Sequence, residues 1–351
     1  VTIEIRSGYI PQAKRLIERP TPQQLQELTS RMPNARRTMY KNYNVHTRVD
    51  SRSTKSTYIV TDHPERHTAQ TVTPEEGRKW AKIQDEYIRD QEMIVLDGVI
   101  GNDPSFLTPA RLIIEARNAN IAGMQQQLYY PPDGVQPEIT MIYTPNLPAP
   151  GYPNDRAIFV DLDAGITRVM NSDYFGESKK GGLRMWNKKV YDAGGLAMHA
   201  GCKVIPVGSK DRVFLIVGLS GTGKTTTTFT TQNNSKPVQD DFIALMPKGK
   251  IYGSENGCFA KTFSLDAKHE PTIYGAVTKP EAYLENVSQQ VPDGPVDFYD
   301  TSYTQNGRAT FSLAALGWYA NARDIGPVDV LLILNRNENV IPGVAKLGSE
   351  H

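Results

Sequence analysis

At 351 residues, with 39% hydrophobic and 22% charged residues, the chain has the make-up of a globular protein with room for two domains. Its 39 Lys and Arg against 38 Asp and Glu leave a net charge of +1, too little field to gather nucleic acid or an anionic membrane, so neither is expected as a partner. The longest apolar runs, 213–217 and 330–334, are too short to cross a bilayer, and VTIEIRSGYIPQAKR at the start lacks the basic and apolar regions of a secretory leader. Two cysteines, Cys202 and Cys258, form no C-x-x-C pair; one disulfide is possible, but a reduced cytoplasmic chain is the expectation.

In chain order, residues 22–36 pattern as a polar helix ending near Pro33, and 57–61 and 93–97 as strands. Between those strands, 73–90 reads as a helix opened by a capping signal, Thr73 followed three residues later by Glu76. Residues 108–128 read as one helix with a proline near its start, then 138–143 and 157–163 as strands. After the strand 213–217, shorter strands are expected at 242–247, 250–254, 258–263 and 329–335. The expected fold is α/β with mixed sheets in two domains, divided near 196–203.

The strand 213–217 runs into Gly218, Leu219, Ser220, Gly221, Thr222, Gly223, Lys224, Thr225 and Thr226, matching G-x-x-x-x-G-K-[ST]. Glycines let consecutive backbone N–H groups face phosphate oxygens, and the start of the following helix adds its positive dipole end. Lys224 would neutralise the outer phosphates and the Thr225 hydroxyl would ligate Mg²⁺. Downstream, Asp240 and Asp241 stand side by side before a strand, a pattern suited to holding the metal directly or through water.

DYFGESKKGGLRMWN (173–187) and GGLAMHAG (194–201) narrow the chemistry. Two lysines in a row, Lys179 and Lys180, usually mark a solvated face, and a lone His199 usually sits in a core. Followed by this P-loop and Asp-Asp, however, the order resembles the ATP-dependent phosphoenolpyruvate carboxykinase family: Tyr-x-Gly-Glu-x-Lys-Lys-Gly, Met-His, Gly-Leu-Ser-Gly-Thr-Gly-Lys-Thr-Thr, Asp-Asp. SRSTKSTYIV (51–60), SENGCFAKTFSLDAKHEP (254–271), LENV (284–287) and DFYDTSYTQNGRATF (297–311) extend the resemblance over residues 48–347.

The resemblance implies decarboxylation of oxaloacetate with phosphoryl transfer from ATP, giving phosphoenolpyruvate, CO₂ and ADP in a reversible, gluconeogenic-type reaction. It implies an N-terminal substrate domain over 1–196, a P-loop nucleotide and metal domain over 197–351, and an active site in the cleft between them. Lys180, His199 and Asp241 would ligate Mn²⁺, the lysine as a neutral amine, with Asp240 nearby; Thr225 would hold Mg²⁺. Lys224, Lys261 and Arg308 would spread positive charge over the transferred group, and Lys179, a further catalytic lysine, would help depress the Lys180 amine. Arg52, Tyr174 and Ser220 would meet the substrate, and Glu270 the nucleotide.

Departures accompany the match. AGCKV replaces the Cys-Ser-Ala-Asn that follows Met-His in the family, which would alter the surroundings of the metal. Ser51 and Thr54 stand where glycine and proline are common, and Asn256 replaces a glycine. Family chains continue past the segment resembling IPGVAKL into contacts for adenine and ribose, whereas this sequence stops at LGSEH; the P-loop domain is therefore expected to be truncated. Two other functions stay open: a P-loop kinase of a small carrier protein, and a nucleotide-binding relative without catalysis. The sequence does not fix the oligomeric state; a monomer is the working expectation.

Overall fold

The computed structural model describes residues 7–219 and 221–336. The first part of the chain forms strands β1 (Arg15–Glu18), β2 (Ala35–Arg37), β3 (Tyr43–Val45), β4 (Thr57–Val60), β5 (Thr71–Val72), β6 (Glu92–Ile100), β7 (Thr108–Glu115), β8 (Ile139–Thr144), β9 (Ala157–Asp161) and β10 (Ile166–Met170). Helices α1 (Pro22–Ser30), α2 (Pro74–Ile88), α3 (Ala119–Leu128) and α4 (Phe175–Asp192) accompany them. Eight of the strands make one mixed sheet in the order β1-β6-β7-β8-β10-β9-β4-β5.

Alternation along the central strands explains the layering. Ile94, Leu96, Leu112, Ile114, Met141 and Tyr143 join α3 and α4 through Ala122, Phe175, Leu183 and Trp186 in one buried cluster. Their neighbours Met93, Val95, Ile113 and Ile142 pack with Ile88 of α2 in another. The sheet is thus covered on both faces, and its strands are apolar almost throughout.

The rest of the described chain forms β11 (Leu196–Met198), β12 (Ala200–Val207), β13 (Lys210–Gly218), α5 (Lys224–Phe229), β14 (Lys236–Gln239), β15 (Ile243–Leu245) and β16 (Ile251–Gly253). It continues with β17 (Gly257–Lys261), α6 (Pro271–Val277), β18 (Tyr283–Glu285), β19 (Ser288–Gln289), β20 (Val296–Asp297), β21 (Arg308–Ser312) and β22 (Val330–Leu334). They build sheets β14-β12-β13-β22, β11-β15-β16, β17-β21-β18-β3-β2 and β19-β20. The fold is mixed α/β with several mixed sheets.

A cut at residue 196 does not separate these sheets. β3 pairs in parallel with β18, so residues 35–45 complete a sheet made otherwise from residues 257–312. Buried side-chain amides fix the crossing: Asn44 Nδ2 donates to the Val287 carbonyl at 2.8 Å, and Asn42 Nδ2 to the Val277 carbonyl at 2.9 Å.

Two helices expected from sequence are corrected. The polar helix stops at Ser30, where Pro33 and Asn34 turn the chain and residues 35–37 pair with β3. The single helix at 108–128 is strand β7, a short 3₁₀ turn and helix α3. The Leu-Ile-Ile run is buried on both sides between β6 and β8, and a buried strand carries no period that distinguishes it from a helix. The Thr73 capping signal holds in half: Thr73 Oγ1 accepts the Glu76 N–H at 3.2 Å, while the Glu76 carboxylate turns to Trp80 Nε1. Both cysteines are free and buried. Among the described residues no helix is long and apolar enough to cross a membrane.

Gly201 on β12 lets α5 lie directly on the strand: a Cβ there would sit 2.0 Å from Thr228 Oγ1. Gly201→Val is therefore expected to lower the melting temperature by several degrees and reduce the urea midpoint, because α5 must lift away. Gly275→Ala on α6, where a Cβ meets open space, is expected to leave both unchanged or raise stability slightly. Equal melting curves for Gly201→Val and the unsubstituted protein would contradict this packing.

Candidate active site

Helix α4 places both lysines. Its glycines allow close contact with the sheet, since a Cβ on Gly181 would come within 3.0 Å of Met141 Sδ. Lys179 consequently points inward, with a side chain only 1% exposed, and Lys180 lies at the rim of the same pocket. Both reach one carboxylate: each Nζ donates to Asp241 Oδ2 at 2.8 Å. His199, between β11 and β12, brings Nε2 to within 2.7 Å of Asp241 Oδ1 from a side chain 62% exposed. Lys224 Nζ lies 3.9 Å from the same oxygen.

This convergence sets the protonation states. Burial alone would raise the Asp241 carboxyl; Lys179, the His199 contact, Lys180 and Lys224 outweigh it and hold the group well below the usual carboxylate range. Burial would depress Lys179, but Asp241 and Glu255 keep it charged, with its value above that of a free amine. Lys180 goes the other way: burial and then the Lys179 charge push its amine below the ordinary value, against the pull of Asp241. Two adjacent lysines thus separate into a charged one and one that is easier to deprotonate. Burial raises the carboxyls of both Asp240 and Glu255. Glu255 Oε2 is 3.2 Å from Lys179 Nζ, within ion-pair range but outside hydrogen-bond geometry.

The glycine-rich turn follows β13. Gly221 and Gly223 have φ of +81° and +87°, which side chains disfavour, and Gly223 caps α5. Helix α5 has only six residues, so little dipole is available from it. Gly218, Leu219, Gly221, Thr222 and Gly223 form the turn, with Leu219 exposed; Ser220 lies outside the described residues. Lys224 Nζ donates to the Asp240 carbonyl at 2.8 Å. Thr225 Oγ1 stands 3.5 Å from Asp240 Oδ2, and Asp240 Oδ1 is buried without a partner. Thr226 Oγ1 donates to Glu270 Oε1 at 2.5 Å, which brings Glu270 to the helix.

On the opposite wall, Lys261 and Arg308 are directly paired residues of β17 and β21, two like charges side by side. Phe259 supports the group: its ring lies 5.1 Å from the Arg308 guanidinium carbon, 6.0 Å from Lys179 Nζ and 6.0 Å from the Tyr174 ring. Asn306 links two expected site residues, accepting from Arg308 Nε at 3.0 Å and donating to the Tyr174 hydroxyl at 3.2 Å. Arg52 is exposed, on a loop tied to the start of α4 because Asp173 accepts the N–H groups of Arg48 and Val49.

Lys179, Lys180, His199, Lys224 and Asp241 are therefore in contact around one carboxylate, while Thr225, Thr226, Asp240 and Glu270 cluster behind the turn. The lysine doublet is no solvated face. Glu255 and Asn306, whose roles the sequence did not disclose, sit inside motifs that could have pointed to them. Lys203 corrects the expectation for AGCKV: its Nζ donates to the carbonyls of Thr227 and Thr230 at the end of α5, away from Asp241.

Among the described residues no three His, Cys, Asp or Glu side chains gather as a metal site. The donors at Asp241 are one carboxylate, one imidazole and one amine held below its ordinary proton affinity, and the Asp240 carboxylate, whose Oδ1 has no partner, stands beside the Thr225 hydroxyl. Such nitrogen and oxygen sets suit divalent metal ions.

Sequence comparison agrees with this geometry. The family model described as phosphoenolpyruvate carboxykinase matches residues 14–351. This chain belongs to the phosphoenolpyruvate carboxykinase family. Similar proteins include phosphoenolpyruvate carboxykinase (ATP) of Alkaliphilus oremlandii, 29% identical over 75% of this chain and 50% of that one, and its namesake in Geobacillus kaustophilus, 29% identical over 85% and 58%. That of Campylobacter jejuni is 34% identical over 55% of this chain and 36% of its own. The chain thus spans about half the length of these curated relatives.

One carboxykinase-family segment, LENV, supplies a buried acid that positions α4. Glu285 Oε2 accepts the Phe175 N–H at 3.0 Å, and Oε1 has no partner. Burial pushes this carboxyl up to about 8; the Phe175 bond and Arg308 oppose the shift and Asp173 adds to it. Between the ordinary value of 4.5 and about 8, the folded protein keeps a proton the unfolded chain has lost. Stability therefore falls as pH rises through that window. Glu285→Gln keeps the acceptor for Phe175, and urea unfolding at pH 5 and pH 8 is expected to show a shallower pH dependence than in the unsubstituted protein. An unchanged dependence would contradict the assignment.

Proposed function

We propose that this protein is an ATP-dependent carboxykinase that decarboxylates oxaloacetate and phosphorylates the product to phosphoenolpyruvate. The observation that carries the reading is the convergence of Lys179, Lys180 and His199 on the Asp241 carboxylate, each within 2.8 Å and next to Lys224 of the P-loop. Family membership supports it. The reading divides labour: the substrate is met largely by residues before 196, phosphates by those after, and metals from both sides of a cleft that closes on them.

In this reading Lys180, His199 and Asp241 hold Mn²⁺, and Thr225 with Asp240 holds Mg²⁺. The metals supply Lewis acidity toward the enolate and the nucleotide phosphates. Arg52 and Tyr174 orient the substrate, with Asn306 tying Tyr174 to Arg308. The C3–C4 bond of oxaloacetate breaks, CO₂ leaves, and the electron pair remains as an enolate. Lys179, held charged by Asp241 and Glu255, stabilises that negative charge. The enolate oxygen attacks the γ-phosphorus, and the β–γ bridging oxygen departs with ADP. Lys224, Lys261 and Arg308 neutralise the transferred group, the role of such clamps in phosphoryl transfer. Ser220 and Glu270 touch substrate and nucleotide respectively. A gluconeogenic-type, reversible role and a cytoplasmic setting belong to the same proposal; two free, buried thiols fit a reducing compartment.

The test is to incubate the protein with oxaloacetate, ATP, Mg²⁺ and Mn²⁺ and measure phosphoenolpyruvate and CO₂. Activity is expected, falling by about 100-fold or more in Lys180→Ala and His199→Ala while ATP binding persists. ATP binding without product would favour a non-catalytic nucleotide-binding relative. Phosphoryl transfer to a small carrier protein instead would point to a kinase.

A further inference from the structure

Beyond the residues already placed, the substrate loop and α4 meet through one buried carboxylate. Glu177 Oε1 accepts the Ser53 N–H at 2.5 Å, and Oε2 lies 3.8 Å from Nη2 of Arg184. Ser53 follows Arg52, so the contact that anchors the loop sets Arg52 beside the carboxylate that Arg184 faces. Positions 177, 180 and 184 share one face of the helix, which puts Arg184 one turn beyond Lys180 along the same wall.

Arg184 is unspent. Among the described residues it makes no hydrogen bond: 3.8 Å to Glu177 is too long, and Nη1 is shielded from solvent with no partner, although 22% of the side chain stays exposed. A guanidinium carries five N–H donors in a planar fork, and leaving them unpaired in a largely buried place is costly. Burial lowers its proton affinity, Glu177 raises it again, and the Arg52 charge lowers it further. Two guanidinium groups against one carboxylate leave one positive charge without a counterion. One further carboxylate would balance it.

We propose that Arg184 and Arg52 form a clamp across a dicarboxylate substrate, each taking one carboxylate, with Arg184 setting the preference for dicarboxylates over monocarboxylates. The substrate wall is taken from the carboxykinase reading; the charge preference follows from the pair itself. Arg184's planar fork suits a carboxylate where a lysine would offer only a point charge.

Calorimetry with malonate and with acetate tests the clamp without turnover. Arg184→Gln is expected to weaken malonate binding about tenfold or more and acetate binding by less than about twofold, with ATP binding and melting temperature preserved; Arg184→Lys recovers part of the loss. Because Arg184→Gln leaves Glu177 buried without its cation, the change is also made together with Glu177→Gln, and the same selectivity loss is expected. Equal loss for malonate and acetate, or no loss, overturns the proposal. Arg184-dependent malonate binding in a protein that does not turn over oxaloacetate keeps the clamp and removes the carboxykinase reading. Turnover with an oxaloacetate KM untouched by Arg184→Gln does the reverse.

Discussion

The site is organised by the carboxylate of Asp241. It stands on the turn between β14 and β15 and gathers groups from three separate segments: two lysines from α4, a histidine from the β11–β12 junction, and the lysine that opens α5. No single sheet contributes all of them. A buried anion with several cations close by is stable only if each contact is short and the charge is shared. Here the sharing makes the two lysines unequal, so that one stays charged and the other more readily presents a lone pair. The pocket is thus biased toward anions on the Lys224 side while nitrogen and oxygen donors gather at Asp241.

Much of the fold serves to keep that convergence in register. Helix α4 is clamped between the eight-stranded sheet and the second half of the chain, its start held by Glu285 and its inward face flattened by glycine. Helix α5 is short, yet it is fixed at both ends. Lys224 reaches the Asp240 carbonyl, and Lys203 binds the carbonyls at its far end. Gly201 provides the space between strand and helix. The residues that depart from the family after Met-His therefore act on the seating of the phosphate turn, while the imidazole of His199 keeps its place beside Asp241.

Sequence patterns disclosed the chemistry more readily than the architecture. That Lys224, Thr225 and the Asp240–Asp241 pair stand together was legible from a short motif and a nearby acidic pair, and the approach of Lys179, Lys180 and His199 from an ordered set of motifs. The strand β7 was read as helix because a run buried on both faces has no hydrophobic alternation. The contribution of residues 35–45 to a distant sheet depends on pairing across more than 200 residues, which local propensity does not encode. Nothing in the local sequence marks Arg184 or Lys203 as more than a surface cation. Only their burial and their neighbours show otherwise.

The most direct measurement is anomalous diffraction at the manganese edge from crystals soaked in Mn²⁺ and ATP. A strong peak bounded by Lys180 Nζ, His199 Nε2 and an Asp241 carboxylate oxygen, at ordinary metal–ligand distances, is the expected result, whether or not a second peak accompanies the nucleotide phosphates. Manganese bound elsewhere, with the Lys180–Asp241 and His199–Asp241 contacts intact in its presence, would contradict the central claim.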